Sequence, residues 1–292
     1  MQVAVYERPS TWQMWASYVR HRWVRWLVLL LLFLFSLIFL APLVWAVATS
    51  LRLPADSFKL PPQWIPTNPR WENYTEVFEL TPFATYVVNS LLVTLSCVIG
   101  QLFTSSLAGY AFGRLKFPGR ELLFWLVLAT MMIPIQATII PVFVLISQMK
   151  LADTLIALIL PALPTAFGTF LLRQYFLTIP DELEEAALID GANYFQVFWK
   201  IHLPLVQTGL AVQAILSFNF FWNEFFRPLI FLTSKEYFTL PVGLVDLRGY
   251  FSTGSISVVL AGVVMSLIPV LIIFLLGQRY LIEGIMRSGI KG

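Results

Sequence analysis

The chain has 292 residues, of which 58% are hydrophobic and only 12% charged, with a mean hydropathy of +0.78. A soluble domain carries about 25% charged residues, so this composition excludes a water-soluble fold and fits one built to face lipid. The formal net charge of +3 is small, and its distribution along the chain says more than its size.

Residues 1–26 carry Arg8, Arg20, Arg22 and Arg25 against Glu7, and are read as a cytoplasmic N-terminal segment. Ala46-Val47-Ala48 has the small-residue pattern of a signal cleavage site. The apolar stretch before it, Leu27 to Trp45, is longer than the roughly 7–15 residues of a signal core, so a retained first span is expected. A bilayer core of about 30 Å takes roughly 20 apolar residues in a helix. Six windows qualify, at 27–49, 85–108, 121–146, 154–176, 207–232 and 256–278, giving a transmembrane domain over 27–292. No alternating ten-residue pattern suggests a barrel, so all six are expected to be helices.

The loop over 50–84 holds Pro61-Pro62, Pro66 and Pro69 with Trp64, Trp71 and Tyr74, a stiff segment whose aromatics suit an interface. Prolines also interrupt the spans: Pro134 and Pro141 the third, Pro161 and Pro164 the fourth, and Pro269 the sixth. Each removes a backbone donor. Ordinary helix curvature and broken helices lining a pathway both fit. Gly109 and Gly113 at the end of span two have the spacing for close helix contact. Cys97, the single cysteine, lies in an apolar run and reads as a small buried hydrophobe. The two histidines, His21 and His202, have no clustered ligands, so no metal site is expected.

Lysine and arginine favour the cytoplasmic side of a membrane. Twelve of the 19 lie in the N-terminus, the 109–120 loop, the 173–206 loop and the C-terminal tail, and six in the opposite loops. Both termini and the 173–206 loop are therefore placed in the cytoplasm. Arg227 is left within span five. It stands three residues after Glu224, close enough to pair on one helix face. A structural ion pair and a cavity-facing cation both fit, since a charge in a span is a functional candidate by default.

The 173–206 loop contains the most informative segment. Pro180 suits a helix start, and Asp181, Glu182, Glu184 and Glu185 suit its positive end. Ala186, Ala187 and Leu188 continue the helix, Asp190-Gly191 ends it, and a second helix with Phe195, Phe198, Trp199 and Ile201 runs to Pro204, where a halt is expected. Two short helices joined at a glycine make a knob. It could lie on lipid, but its leading acids would be repelled by anionic headgroups, which favours a protein partner.

Glu185-Ala186-Ala187-x-x-Asp190-Gly191-Ala192 with Ile201-x-x-Pro204 resembles the EAA loop, here 181–206, of permease subunits in binding-protein-dependent ABC importers. Asn73-Tyr74, Asn89-Ser90-Leu91, Ala111 to Gly119, Trp222-Asn223-Glu224-Phe225 and Gln278-Arg279-Tyr280 to Lys291-Gly292 resemble the maltose-type carbohydrate branch, in its smaller six-span subunit. The resemblance implies an all-α integral membrane protein with the type I importer permease fold and a cytoplasmic coupling-helix hairpin. It implies that Glu185, Ala186, Ala187, Asp190, Gly191, Ala192, Ile201 and Pro204 couple to an ATPase, and makes Trp222, Asn223, Glu224 and Arg227 candidates for pathway or binding-protein contact. The implied partners are two ATPase subunits, a second homologous permease, an extracytoplasmic solute-binding protein and the bilayer, with no nucleic acid, in a bacterial or archaeal plasma membrane. No G-x-x-x-x-G-K-[ST] loop is present, so ATP and Mg are expected on the partner ATPases and no cofactor on this chain. Two departures stand out: Gln207-Thr208-Gly209 lacks a proline the family usually has after Pro204, and Arg227 replaces an uncharged residue before Pro228-Leu229. The sequence leaves open a sugar, another small polar solute such as glycerol phosphate, and a stand-alone secondary transporter.

Overall fold

The structure, a computed structural model, describes residues 11–53, 55, 57, 64–249 and 255–289, with side chains described outside 11–22 and 281–289. Pro61-Pro62 and the closing Lys291-Gly292 therefore lie outside the described residues. In hydrocarbon the backbone must satisfy its own hydrogen bonds, and every regular element among the described residues is helical. Among the described residues, three helices are long and apolar enough to cross a membrane unbroken: Trp23–Ser50 within α1 (Thr11–Ser50), α3 (Phe83–Gly113), and Ile256–Tyr280 within α14 (Ile256–Gly289).

The third and fourth spans are bent. Arg120–Met132, which begins with α4 (Arg120–Ala129), meets α5 (Ile135–Gln148) at 101°. A residue before proline is pushed out of the helical region, and Ile133 (ψ 115°) and Pro134 (ψ 139°) are both extended. Leu155–Ala162, which begins with α6 (Leu155–Ile159), meets α7 (Ala166–Phe176) at 42°, and the Thr165 side chain caps the new start by accepting from the Gly168 N–H. Pro141 and Pro269, by contrast, sit inside α5 and α14. Expecting them to interrupt their spans is corrected: one lost hydrogen bond is tolerated where the flanking residues remain helical. The fifth span is also corrected. α11 covers only Gln207–Trp222, and after a break at 223–225 the chain resumes as the short α12 (Phe226–Phe231).

α3 is the central element, contributing to all three apolar clusters through Phe83 and Tyr86, Val93 and Cys97, and Tyr110. It packs on α7 and α11. A Cβ on Gly109 would stand 2.9 Å from the Arg173 backbone nitrogen, and one on Gly113 3.4 Å from Phe176 Cβ. The small-residue pair thus lets α3 and α7 approach closely, as its spacing suggests.

Midway along α3 lies a buried polar network. Gln101 Nε2 donates to the Ala162 carbonyl (2.8 Å) and Thr104 Oγ1 to the Leu163 carbonyl (2.7 Å), satisfying backbone groups at the break in span four. From α11, Ser217 Oγ donates to Gln101 Oε1 (2.9 Å) and Gln213 Nε2 to Ser105 Oγ (2.9 Å). A polar group in a membrane interior needs such partners, and here they join spans two, four and five.

Side chains also pin the end of the bundle remote from the hairpin. Asn73, in α2 (Glu72–Leu80), donates to the carbonyls of Ser50 (2.7 Å) and Arg52 (2.8 Å). Asn89 donates to those of Glu236 (2.7 Å) and Phe238 (3.0 Å), and Ser90 Oγ accepts from the N–H of Leu240 (2.7 Å), the first residue of α13 (Leu240–Leu247). Asp153 accepts from the N–H groups of Thr233 (2.8 Å) and Ser234 (2.9 Å), joining two loops. Burial pushes its carboxyl up, but the Ser234 and Thr233 hydrogen bonds outweigh that and hold it at about 2.

Candidate functional site

The hairpin forms by local rules readable in its residues. Pro180 stands at the N-cap of α8 (Asp181–Ile189), whose first turn holds Asp181, Glu182 and Glu184, where the exposed N–H groups favour negative charge. Gly191 closes the helix at φ +88°. Its N–H donates to the Leu188 carbonyl (3.1 Å), and the Ala192 N–H to that of Ala187 (2.9 Å), the paired bonds of a Schellman ending. Asn193 then opens α9 (Tyr194–Val197) with a reciprocal capping box to Gln196.

The second arm ends at Leu205, one residue past Pro204 and close to the expected halt. It passes through a π turn at Phe198–His202 into α10 (Leu203–Leu205), and a 74° corner at Val206 leads to α11. Pro204 falls in the first turn of α10, where a missing N–H is tolerated within the widened helix.

Of the expected coupling residues, Glu185, Ala186, Asp190, Gly191 and Pro204 are exposed and Ala187, Ala192 and Ile201 half-buried. Large apolar side chains stand out beside them: Ile189 is 86% exposed and Phe195 66%, with Leu183, Tyr194 and Trp199 also exposed. The opposite face is packed, with Val197, Phe198 and His202 buried. The knob is therefore anchored on one side and apolar on the other.

The anchor centres on Arg114, which caps α3. Its buried guanidinium lies 3.0 Å from Glu184 Oε2 and 2.8 Å from Asp181 Oδ1, and donates to the Ile179 carbonyl at 3.1 Å. On the other side of the same Glu184 oxygen is His202 Nε2, at 3.2 Å. Burial and the positive charge of Arg114 push His202 below its ordinary value, against the opposite pull of Glu184 and Asp181. One turn back on α3, the Tyr110 ring packs against Phe176, Phe198 and His202, with centroids 5.7, 5.1 and 5.1 Å away.

The second expected constellation divides. Arg227 meets Glu224 through Nε and Nη2 and donates Nη1 to the Leu158 carbonyl at 3.2 Å, so each of its three nitrogens has a protein acceptor. Both side chains are buried, and the pair bridges the break between α11 and α12 rather than one helix face. Trp222 is also buried: it stacks on Phe218 and donates Nε1 to the Ser266 carbonyl at 3.0 Å. Asn223 alone is exposed, its amide donating to the Asn219 carbonyl at 2.8 Å.

The family model described as binding-protein-dependent transport system inner membrane component matches residues 105–285. The chain belongs to that family. It is a permease subunit of a binding-protein-dependent ABC importer, a multi-pass protein of the bacterial inner membrane, and not the importer's ATPase. This permease is 39% identical over 222 residues to the arabinooligosaccharides transport system permease protein AraQ of Halalkalibacterium halodurans, covering 76% of this chain and 79% of that one. It is 33% identical over 262 residues to the sn-glycerol-3-phosphate transport system permease protein UgpE of Yersinia pestis, covering 86% and 92%. It also resembles a chain in a crystal structure of a bacterial ABC transporter involved in the import of the acidic polysaccharide alginate, with a TM-score of 0.79 and 28% identity over 89% of this chain and 96% of that one.

Within the permease, sequence reasoning misses Tyr110, Arg114 and the Glu184–His202 contact. Arg114 counts there as a cytoplasmic-side charge and as part of the Ala111 to Gly119 resemblance, with no partner assigned, and Glu184 as a helix-start acid. The Asn193-x-x-Gln196 box was readable as a capping pattern. The burial of Arg114 was not, because it depends on α3 ending beside α8.

Proposed function

We propose that this permease forms one half of the pathway of an importer for a carbohydrate or sugar-like solute, driven through the 181–206 hairpin by separate ATPase subunits. The observation that carries the reading is the hairpin's two-sidedness: an anchored inner face and an outer face of Leu183, Ile189, Phe195 and Trp199. Exposed apolar surface ringed by polar groups marks a protein interface. Two ATPases, a second homologous permease and an extracytoplasmic binding protein complete the assembly. Both termini and the hairpin face the cytoplasm, in keeping with the bias of lysine and arginine. ATP-driven closure of the ATPases draws the hairpins together and turns the bundle outward, and contacts that differ between the two states couple that energy to the pathway. The exposed Asn219 on α11 and Asn223 just past its end are the pathway candidates, whereas Trp222, Glu224 and Arg227 hold the wall in place.

Arabinooligosaccharide and glycerol phosphate, named for the relatives, are the first solutes to test. The pairing of Arg227 with Glu224 favours a neutral sugar, because the pair presents no net charge to a phosphate. Proteoliposomes holding the complete importer and its binding protein should take up labelled arabinooligosaccharide only with ATP inside the ATPase compartment. Uptake of glycerol 3-phosphate with no sugar uptake would replace the sugar reading, and uptake without ATP would end the importer reading for this assembly.

A further inference from the structure

Three segments meet at one carboxylate oxygen. Glu184 Oε2 on the first arm lies 3.0 Å from Arg114 Nε at the end of α3 and 3.2 Å from His202 Nε2 on the second arm. The Arg114 side chain is 5% exposed and Glu184 13%, so water competes little for either charge, and a pair shielded in this way resists separation far better than one on a surface. Tyr110 closes the apolar side of the same joint. Beyond this joint the hairpin is held by the apolar packing of Phe198 and Leu203 against Leu172 and Phe176, and by its two chain connections, the turn at 177–180 and the 74° corner at Val206.

What α3 touches farther along gives the joint a use. The same rigid helix carries Gln101 and Thr104, which hold the Ala162 and Leu163 carbonyls at the break in span four, and Gln101 accepts from Ser217 on span five. We propose that Arg114 is a positioning residue for transport: it locks the hairpin to α3 so that the two move as one lever. Displacement of the hairpin then shifts spans two, four and five instead of being absorbed at the hairpin's own joints. The inference rests on the reading that the hairpin docks on the ATPase, and adds where that motion enters the bundle.

The lever is tested by distance in the complete importer, with ATP and vanadate as the probe. Spin labels go on Lys200 in the second arm and Leu92 on α3, both exposed, in a Cys97→Ala background. In the otherwise unchanged protein the Lys200–Leu92 distance should be the same before and after vanadate trapping. The double variant Arg114→Met, Glu184→Gln removes both partners together and leaves no buried carboxylate facing a missing cation, so it should still assemble. In it, trapping should shift or broaden the distance by about 5 Å, the order of one helical turn, while the ATPases still co-purify. A distance that changes on trapping without the substitutions would overturn the lever, as would a double variant whose distance stays fixed. Failure of the ATPases to co-purify with the unsubstituted chain would instead strike the docking reading, and the lever with it.

Discussion

Glu224 and Arg227 show how a charge is carried through a membrane domain. Both are buried, and they spend their hydrogen-bonding capacity on each other and on the Leu158 carbonyl. Removing one partner strands the other. Arg227→Met should therefore destabilise the permease by about 3–5 kcal/mol, the usual cost of orphaning one member of a buried pair. Adding Glu224→Gln should recover a large part of that loss, because neighbours in one ion pair are not additive. Thermal unfolding in detergent checks this, and a double variant less stable than Arg227→Met alone would mean that the pair does not act as a unit. His202 makes a second residue-level expectation. Its folded-state value is lowered, so the unfolded chain takes up a proton where the folded chain does not, and stability is lost as pH falls through about 6.5, by at most about 1.4 kcal/mol per pH unit. His202→Gln should flatten this dependence between about pH 8 and 5. An unchanged slope would place the titration elsewhere.

At the level of elements, what was legible in the sequence followed local rules. Six apolar windows and the glycine at φ +88° that ends α8 depend on neighbours within a turn or two, while the spacing of Gly109 and Gly113 marked a close-contact face without naming α7 as the helix it meets. The proline breaks were only half legible. Pro134 turns the chain through 101°, whereas Pro141 and Pro269 remain inside helices; the difference lies in whether the preceding residue leaves the helical region, which tertiary packing decides. Span five looked continuous because Phe226–Phe231 is as apolar as α11, yet Asn223 to Phe225 break it and Arg227 seals the gap. The Arg114 joint and the Gln101 network were not legible at all. Their partners lie 59 to 116 residues away in the chain, and no periodicity reports such a separation.

For the whole molecule, the arrangement separates three tasks. Asn73, Asn89 and Asp153 fix the loops at the end remote from the hairpin, α3 ties the broken spans together, and the hairpin offers an apolar face beyond the bundle. A permease without its own nucleotide site must receive energy through contact, and that face is the surface suited to receive it. The most direct measurement is recovery of the ATPase subunits with the tagged permease, before and after Phe195→Glu together with Trp199→Glu. Both side chains are exposed, so the substitutions should leave the fold intact. The account predicts that the permease still inserts and pairs with its partner permease but loses the ATPases and, with them, ATP-driven uptake. Full retention of the ATPases and of uptake would contradict it.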